Sequence, residues 1–517
     1  MADAPLVNLT VEGRQISVPA GTSILEAAKV AGVLIPHYCY HPGLPVVGVC
    51  RMCLVDVEKS PKLMPSCATA VAEGQVVHVH NEKSLDARKG VLEMLLINHP
   101  LDCPICDQSG ECELQDYTFH EGRADSRYRE PKRFNPVEDF GGDVLYVPNR
   151  CILCTRCVRF MDDVHGEAVL NVSERGDRAV ISKAPDADLT QPWAGNVVDL
   201  CPVGALLSKD FLNKARAWEL DRAASVCTGC SQGCNIMMEM RDDAVVRLKP
   251  RSNEEVNAFF MCDEGRLNYR WLNRQDRCVA PMVGSSEVEW GTAVAAAATA
   301  LKGKKARVVA NGSLSNEAFH LLSRIAAKTG GSVRFAVPQG EEAPLSGVED
   351  LALRADRVAN ATGAELLGAT RSDDPYAGLG SGDVLVLADI DPATVPAGAI
   401  AAAGSVVFVG TVAPTGMQKL AAALPISNVA ESDGTLTNLR GRVQRFLQAK
   451  SAPGHARPAW FVLADVLIAM GEQAPYMTAS DAFAALAKTT PAFAGMSYDA
   501  LGLKGATVAG AMAGANR

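Results

Sequence analysis

The chain has 517 residues, of which 48% are hydrophobic and 21% are charged. This composition is typical of a globular protein with several domains and excludes a largely disordered one. The net charge of −9 argues against a nucleic-acid-binding protein, because such a protein needs a basic face. No apolar stretch reaches the roughly 18 residues of a membrane span, and the first residues have no secretory or transit pattern, so we expect a reducing compartment.

The N-terminal residues predict a small β-grasp unit like that at the start of a ferredoxin. Residues 6–11 and 15–18 have the pattern of two short strands around a tight turn. Ser23 with Glu26 fits a capping box at the start of a helix that ends at Gly32.

The cysteines are the most informative residues of the chain. All 16 lie between Cys39 and Cys278. In a large protein without a secretory signal, such cysteines indicate metal or redox ligation rather than disulfides. The chain therefore divides into a ligand-rich front half and a rear half without thiols.

A first ligand group follows the predicted β-grasp start. Its cysteines have the spacing C-x10-C-x2-C-x13-C and are Cys39, Cys50, Cys53 and Cys67. This resembles the plant-type pattern for a two-iron cluster, with a lengthened first gap. A structural zinc site is the alternative, although zinc usually prefers two paired knuckles.

A second group follows a predicted amphipathic helix at residues 84–97. The apolar face of that helix is expected to hold Val91, Leu92, Leu95 and Leu96. The spacing H-x3-C-x2-C-x5-C then gives His99, Cys103, Cys106 and Cys112. A lone histidine is more often a packed residue than a ligand, but this cysteine triplet otherwise lacks a fourth ligand. Three thiolates and one imidazole would complete a four-iron site, and a neutral imidazole raises its reduction potential.

A third group has the spacing of bacterial ferredoxins. The segment CILCTRC provides three cysteines and the segment DLCPVGAL a fourth, giving Cys151, Cys154, Cys157 and Cys201. A C-x2-C-x2-C run with a distant Cys-Pro wraps one four-iron cluster, whose irons occupy separate corners. A single zinc ion would need all four sulfurs to converge on one point.

A fourth group has the looser spacing C-x2-C-x3-C-x27-C. Its members are Cys227, Cys230, Cys234 and Cys262. A four-iron cluster fits this spacing, and zinc is the alternative. Cys278 is left over and is expected to be an ordinary buried thiol. Six other histidines are expected to be packed or solvated residues: His78, His80, His120, His165, His320 and His455.

With all four groups in order, the chain resembles the large iron–sulfur subunit of respiratory complex I, the proton-translocating NADH:quinone oxidoreductase. The resemblance covers about residues 5–280. It is carried by the segments HPLDCPICDQSGECELQD, CILCTRCVRF, DLCPVGAL and FMCDEGRLNYRW.

The resemblance implies a set of cofactors and ligands. It implies one 2Fe-2S cluster on the first group and three 4Fe-4S clusters on the second, third and fourth groups, with His99 as a ligand. In that family the first three clusters lie on the path from flavin toward quinone, and the fourth is thought to lie off it. It also implies no catalytic residue in this chain, because flavin and quinone sites belong to partner subunits.

The resemblance further implies partners and a location. The partners are other complex I subunits, especially the flavin/NADH-binding subunit and the peripheral-arm subunits that lead to quinone. The location is the cytoplasmic side of a bacterial inner membrane, as a peripheral subunit that meets the membrane only through the complex. No nucleic acid is expected.

The rear half has the pattern of a doubly wound α/β domain. We expect strands at Ala306–Ala310, in SGDVLVLADID and in GSVVFVGT, and a helix in NEAFHLLSRIAAKTGG. The segment ESDGTLTNLRGRVQRF resembles the molybdopterin-oxidoreductase domain, but no Cys is present to ligate molybdenum. We therefore expect a truncated remnant of that domain without molybdopterin.

These observations predict a multidomain protein of α+β and α/β class. Five parts are expected: a two-iron β-grasp ferredoxin domain (1–82), a four-iron domain with one histidine and three cysteine ligands (83–140), a ferredoxin-like four-iron domain (141–219), a four-iron domain of the molybdopterin-oxidoreductase type (220–280) and the α/β remnant (281–517).

Other functions remain as alternatives to electron relay. A formate dehydrogenase large chain shares the front half, but the short rear half and the missing ligand argue against it. The diaphorase-side small subunit of an NAD-reducing hydrogenase leaves residues 220–517 unexplained, and an iron-only hydrogenase needs further cysteine motifs. Metal analysis distinguishes electron relay from the last alternative, a structural scaffold that is stabilised by zinc.

Overall fold

The computed structural model describes residues 4–510, which form two compact units. One unit runs to Leu220 and includes the short segment Leu345–Glu349. The other consists of Asp221–Pro344 and the chain from Asp350 onward. Within the described range, none of the helices combines the length and apolar character that crossing a bilayer requires.

The first unit begins with a five-stranded mixed sheet. The strands run in the order β2-β1-β5-β3-β4, with β1 and β5 parallel and the other neighbours antiparallel. The elements are β1 (Leu6–Val11), β2 (Arg14–Pro19), α1 (Ile24–Val30), β3 (Leu54–Val57), β4 (Met64–Pro65) and β5 (Gln75–His78). The predicted hairpin and helix of a β-grasp start are therefore confirmed.

Local chemistry accounts for this start. The turn residues Glu12 and Gly13 both have positive φ (48° and 75°), which favours the tight connection between β1 and β2. The Ser23 side chain accepts a hydrogen bond from the Glu26 N–H at 3.2 Å and caps α1. The carboxylate of Glu26 instead accepts hydrogen bonds from Tyr40 and Lys29. The predicted cap is thus correct, whereas the Glu26 side chain has other partners than the capping box requires.

The rest of the first unit consists of short elements. They are α2 (Glu82–Leu96), α3 (Glu113–Glu121), β6 (Glu138–Gly141), β7 (Val144–Tyr146), α4 (Arg156–Arg159), β8 (Leu170–Ser173), β9 (Val180–Lys183), α5 (Asn196–Leu200) and β10 (Leu206–Ser208). Strands β10, β7 and β6 form one small sheet and β8 with β9 a hairpin. Helix α4 continues into a π-helical turn at Phe160–His165.

The buried face of α2 differs from the predicted one. Its buried residues are Ser84, Arg88 and Leu92, and the other predicted apolar residues are only half-buried. Arg88 is buried because it forms an ion pair with Glu121 of α3 and donates to the Val79 carbonyl. Partners distant in sequence, which periodicity cannot reveal, therefore determine which face of α2 packs inward.

The second unit begins with an antiparallel meander. Strands β11 (Asp221–Val226), β12 (Asn235–Arg241) and β13 (Ala244–Pro250) pair in chain order, and helix α6 (Asp263–Leu267) follows. The loops around these elements hold the fourth cysteine group.

An eight-stranded sheet forms the centre of the second unit. Its order is β15-β14-β23-β22-β21-β16-β17-β20, and the strands from β23 to β20 are parallel. The elements of this region are β14 (Met282–Val283), β15 (Ser286–Glu287), α7 (Trp290–Leu301), β16 (Ala306–Ala310), α8 (Asn316–Thr329), β17 (Ser332–Phe335), β18 (Ala343–Pro344), β19 (Ala352–Leu353), α9 (Ala361–Leu366), β20 (Thr370–Arg371), β21 (Val384–Ala388), α10 (Ala397–Ala402), β22 (Ser405–Gly410) and β23 (Leu420–Pro425).

Both faces of this sheet are covered. Val308 of β16 packs in the same core as Leu322 of α8, whereas its neighbour Val309 packs with Phe408 in a second core. A parallel strand buried on both faces reads as an unbroken apolar run. The strands β16, β21 and β22 and the helix α8 were predicted from such patterns, and they are confirmed.

The last elements place polar side chains in the interior. A small sheet consists of strands β24 (Gly434–Thr437), β25 (Arg442–Phe446) and β26 (Ala506–Thr507). Between β25 and β26 the chain forms helices α11 (Ala459–Ala469) and α12 (Ala479–Thr489). The buried Glu317 carboxylate accepts hydrogen bonds from the Thr435 hydroxyl at 2.7 Å and N–H at 3.1 Å. The predicted fold class, α+β modules followed by an α/β domain, is confirmed.

Candidate iron–sulfur sites

The first cysteine group lies on the loops of the β-grasp sheet. Cys39, Cys50 and Cys53 lie between α1 and β3, and Cys67 follows β4. The Cys39 N–H donates to the Cys50 Sγ at 3.5 Å. The Cys39 thiol is within hydrogen-bonding range of the Cys50 and Cys67 thiols, and Cys67 is within range of Cys53. The structure therefore brings these four residues together.

Hydrogen bonds among these four thiols lower the pKa of two of them and raise the pKa of the other two. Hydrogen bonds from neighbouring thiols lower the pKa of Cys39 to about 2 and the pKa of Cys53 to about 7. The same contacts and burial raise the pKa values of Cys50 and Cys67 above the usual range. Cys39 and Cys53 therefore ionise more readily while Cys50 and Cys67 keep their protons, so the four thiols do not all ionise together. A cationic iron core removes that conflict, so this donor set fits a cluster.

The second group surrounds the start of α3. Cys103 begins a short 3-10 turn (Cys103–Ile105), and Cys112 is the N-cap residue of α3. Cys106 and Cys112 are buried, whereas Cys103 is exposed. Burial raises the pKa of Cys106, and the charge of Cys103 raises it further. Burial likewise raises the pKa of Cys112 to about 11, with a contribution from Cys106. The charge of Cys103 thus acts on Cys106, and that of Cys106 acts on Cys112.

His99 precedes Cys103 by four positions in the chain, and the charge of Arg150 acts on both His99 and Cys106. The buried Nδ1 of His99 has no hydrogen-bond partner among the described residues. Burial, followed by the charges of Lys132 and Arg150, lowers the pKa of His99 to about 4. At neutral pH the ring is therefore uncharged, which is the form that binds metals. A buried polar atom without a partner requires an explanation, and ligation supplies one.

The third group lines a single cavity. Cys151, Cys154, Cys157 and Cys201 all contribute to its wall. The backbone between them turns through left-handed conformations at Leu153 (φ 52°) and Thr155 (φ 60°), which lets a short segment present three sulfurs. The N–H of Leu153 donates to the Cys151 Sγ at 3.4 Å. Burial raises the pKa of Cys151 to about 11 and that of Cys154 to about 12. The four sulfurs and the cavity fit a cluster.

The fourth group joins the β11–β12 connection to the start of α6. The Cys227 N–H donates to the Cys234 carbonyl at 2.8 Å, and Cys262 is the N-cap residue of α6. Burial raises the pKa of Cys262, and the charges of Cys227 and Cys230 raise it further. Burial also raises the pKa of Cys234, with contributions from the charges of Cys230, Cys227 and Cys262, so all four thiols lie near one another.

Two glycines lie against sulfurs of the fourth group. The N–H of Gly229 points at the Cys227 Sγ (3.5 Å) and that of Gly265 at the Cys262 Sγ (3.4 Å). A Cβ at position 265 would stand 3.1 Å from the Cys227 Sγ. Gly265 thus allows backbone and sulfur to approach closely, and such N–H donors tune the potential of a bound cluster.

The second and third groups are neighbours in space. The N–H of Glu113, next to Cys112, donates to the carbonyl of Pro202, next to Cys201, at 3.0 Å. The charge of Cys201 also contributes to the raised pKa of Cys112, although burial is the larger cause. Sequence spacing predicts each group but not this adjacency.

Arg159 links the first and third groups. Its guanidinium donates to the Cys39 and Pro45 carbonyls of the first loop and to the Cys154 carbonyl of the third at 3.4 Å. Arg159 was not predicted as a functional residue from the sequence. The signal available was a basic residue within a run of ligands, in CILCTRCVRF.

Cys278 lies apart from the four groups. Its thiol donates to the Ala280 carbonyl at 3.7 Å, and burial raises its pKa to about 11. Over residues 4–510, no three His, Cys, Asp or Glu side chains are arranged as they would be around one metal ion. A cluster needs a wider arrangement, because its ligands bind different irons. Of the histidines predicted to be ordinary, His320 is buried in α8, and His78 lies 3.0 Å from the Glu58 carboxylate.

Four family models match the front of the chain. They describe a 2Fe-2S iron-sulfur cluster binding domain (residues 4–82), the NADH-ubiquinone oxidoreductase-G iron-sulfur binding region (88–127), the NADH-quinone oxidoreductase subunit 3 ferredoxin-like domain (141–207) and the molybdopterin oxidoreductase Fe4S4 domain (221–274). Each range contains one complete ligand group.

Curated relatives carry a name that agrees with the second of these models. The G-type subunit of NADH-quinone oxidoreductase from Rickettsia felis is 40% identical over 332 residues, which is 63% of this chain and 49% of the relative. The chain is homologous to this protein over those 332 residues. The mitochondrial NADH-ubiquinone oxidoreductase 78 kDa subunit of Candida albicans is 45% identical over 283 residues, 54% of this chain and 39% of the relative. The matches thus span about half, or less, of the relatives' length.

A plant relative and a solved structure match as well. The mitochondrial NADH dehydrogenase [ubiquinone] iron-sulfur protein 1 of Solanum tuberosum is 42% identical over 295 residues, 56% of this chain and 40% of the relative. A NAD+-reducing [NiFe]-hydrogenase chain is 31% identical, covering 40% of this chain and 90% of its own, with a TM-score of 0.37. That score is too low to compare the folds. The expectation of an iron–sulfur protein akin to the large subunit of complex I is confirmed.

Proposed function

We propose that the chain relays single electrons as the large iron–sulfur subunit of a NADH:quinone oxidoreductase. The observation that carries this proposal is the grouping of the ligand candidates in a chain homologous to such subunits. Three groups lie in one compact unit, where backbone and guanidinium contacts join them. A relay requires such closely spaced sites, whereas a zinc-stapled scaffold does not.

The proposed ligands follow the four groups. One 2Fe-2S cluster would be held by Cys39, Cys50, Cys53 and Cys67. The second site, a 4Fe-4S cluster, would use His99, Cys103, Cys106 and Cys112. Two further 4Fe-4S clusters would be held by Cys151, Cys154, Cys157 and Cys201, and by Cys227, Cys230, Cys234 and Cys262.

The protein contributes binding and tuning. Bound clusters supply reversible one-electron chemistry. The chain holds its sulfurs in mostly buried positions, which keeps water and oxygen away from the third and fourth groups in particular. Gly229 and Gly265 direct backbone N–H groups at ligand sulfurs, which stabilises added negative charge. The uncharged His99 ring makes the second site less negative than a four-thiolate site.

The α/β region has a supporting role in this proposal. The proposed parts are those expected from the sequence, with boundaries near residues 82, 140, 219 and 280. No thiol follows Cys278 that would ligate molybdenum. A molybdenum assay distinguishes this proposal from a formate dehydrogenase, which contains that metal.

We further propose that partner subunits supply the chemistry at both ends of the relay. Flavin and quinone sites would belong to the NADH-binding subunit and the peripheral-arm subunits. The complex would lie at the cytoplasmic side of a bacterial inner membrane. The relatives named as subunits of NADH-quinone and NADH-ubiquinone oxidoreductases support assembly with other subunits.

Single Cys→Ser substitutions test the ligand groups. Cys53→Ser, Cys106→Ser, Cys154→Ser and Cys230→Ser are each compared with Cys278→Ser in chains prepared without oxygen. Each of the four should alter or remove one low-temperature EPR signal and leave the others, whereas Cys278→Ser should retain all of them. A chain in which Cys278→Ser removes a signal, or Cys154→Ser removes none, would contradict the proposed groups.

A further inference from the structure

Arg156 occupies an unusual place among the ligand groups. It lies in α4 between Cys154 and Cys157 of the third group, and its side chain is only 5% exposed. It also lines the cavity that the third group surrounds. A buried guanidinium is retained only where hydrogen bonds and opposite charge compensate for the lost hydration. The partners of this side chain are therefore informative.

The partners of Arg156 come from all three groups of the first unit. One terminal nitrogen donates to the carbonyl of Tyr40, next to Cys39, at 2.8 Å. The other donates to the carbonyl of Leu200, next to Cys201, at 3.3 Å. Both approach the carboxylate of Glu113, next to Cys112, at 3.4 Å. One side chain thus contacts the immediate neighbour of a proposed ligand in each group.

The fifth N–H of the Arg156 guanidinium, at Nε, donates to none of these partners. The buried Nε of Arg156 has no hydrogen-bond partner among the described residues. Since the side chain lines the third group's cavity, one N–H remains for whatever that cavity holds. An arginine suits this task because its planar group carries five N–H donors in fixed directions, whereas lysine has a single point of attachment.

The charge of Arg156 acts on the same groups. Its guanidinium lines the cavity that Cys154 and Cys201 surround and lies 3.4 Å from the Glu113 carboxylate. A fixed positive charge in a buried region stabilises added negative charge nearby, and each reduced site carries one more negative charge.

We propose that Arg156 is a positioning residue that joins the first, second and third sites and raises the reduction potentials of all three. This inference rests on the proposed electron-relay function. Arg156 ligates nothing; it holds the Tyr40, Glu113 and Leu200 segments in one arrangement and supplies a shared positive charge. The potentials of the three sites are therefore coupled through one residue.

Redox titration of the full chain tests this role. The Arg156→Met, Arg156→Lys, Arg159→Met and Arg88→Met variants are prepared without oxygen and titrated with dithionite, and each EPR signal is followed separately. In Arg156→Met the midpoint potentials of the first three signals should fall together, while the signal of the fourth site stays unchanged. Arg156→Lys retains the charge but not the three-way contact, so its shifts should be smaller and in the same direction.

Two arginines serve as matched controls. Arg159 contacts the first and third groups, so Arg159→Met should shift those two signals and leave the second. Arg88 is as buried as Arg156 and pairs with Glu121, but its partners adjoin no proposed ligand. Arg88→Met should therefore shift none of the potentials.

The outcomes separate this inference from the function on which it rests. A wild-type chain without iron signals would overturn the proposed function. Wild-type signals that Arg156→Met moves no more than Arg88→Met, or a shift confined to the third signal, would overturn the role of Arg156 alone. If Arg156→Met does not assemble the third site, the first and second signals still decide: wild-type potentials there contradict the proposal, and lowered ones support it.

Discussion

Gly204 packs directly against the sulfur of Cys106, so a Cβ at position 204 would overlap the Cys106 Sγ. Gly204 belongs to the segment that carries Cys201 of the third group, yet it limits the space around a sulfur of the second. Gly204 therefore leaves room for a sulfur of the second group, although its own segment carries a cysteine of the third.

Gly204→Ala is expected to damage the second site. The added methyl group must displace either the Cys106 sulfur or the 201–204 backbone, and overpacking of this kind costs about 1–3 kcal/mol. The second EPR signal should be weakened or shifted, and the fourth should be unchanged. Gly90→Ala is the control, because a Cβ at that position in α2 meets no atom within 4 Å. An unchanged second EPR signal in Gly204→Ala would show that the contact between residue 204 and the Cys106 sulfur does not restrict the second site.

His99→Cys should leave a cluster with a lower reduction potential. A thiolate in place of the neutral imidazole adds a negative charge to the site and disfavours the reduced state. His99→Ala should instead lose the second signal, because its site then lacks a fourth protein ligand. His320→Ala is the control, since that ring lies in α8 of the second unit. An unchanged potential in His99→Cys would remove His99 from the ligands.

Glu317 is expected to make the chain less stable as the pH rises. Burial raises its pKa in the folded chain from 4.5 to about 7, despite the hydrogen bonds from Thr435. Below pH 4.5 both folded and unfolded states hold the proton, and no penalty arises. Between these values the unfolded state alone ionises, so stability falls by about 3 kcal/mol by the time the pH exceeds the folded pKa.

Urea unfolding followed by tryptophan fluorescence measures this effect. Glu317→Gln should lose less stability than the wild type between pH 5 and pH 8, about 3 kcal/mol less at most. Glu341→Gln changes an exposed carboxyl group of the same unit and should follow the wild type. Identical pH dependence in Glu317→Gln and the wild type would mean that Glu317 is ionised in the folded chain throughout.

The exposed Cys103 predicts sensitivity to oxygen at the second site. Leu101 and Ile105 on either side are also exposed, at 89% and 70%. If partner subunits cover this surface in the complex, the isolated chain should produce more superoxide under air when reduced. Equal superoxide production per chain from the isolated protein and the complex would argue against such cover.

Sequence spacing indicated the cysteine groups because the proposed ligands of each group lie mostly on one short segment. Cys154 and Cys157, for example, need only a single turn of backbone between them. Apolar runs likewise predicted β16 and β21, since a strand buried on both faces leaves few positions for polar residues.

The relationships between groups could not be predicted in this way. Arg156 and Tyr40 are 116 positions apart, and Gly204 meets Cys106 across a similar distance in sequence. Arg88 was missed for the same reason, because periodicity assigns a charged residue to the surface unless its buried partner is known. Contacts of high sequence separation follow from tertiary packing alone.

Metal analysis of the chain prepared without oxygen tests the account most directly. Iron and acid-labile sulfide are counted per chain, and low-temperature EPR is recorded after reduction with dithionite. The account predicts about 14 irons with matching sulfide, and signals from one two-iron and three four-iron clusters. A colourless chain that holds zinc or no metal would contradict it.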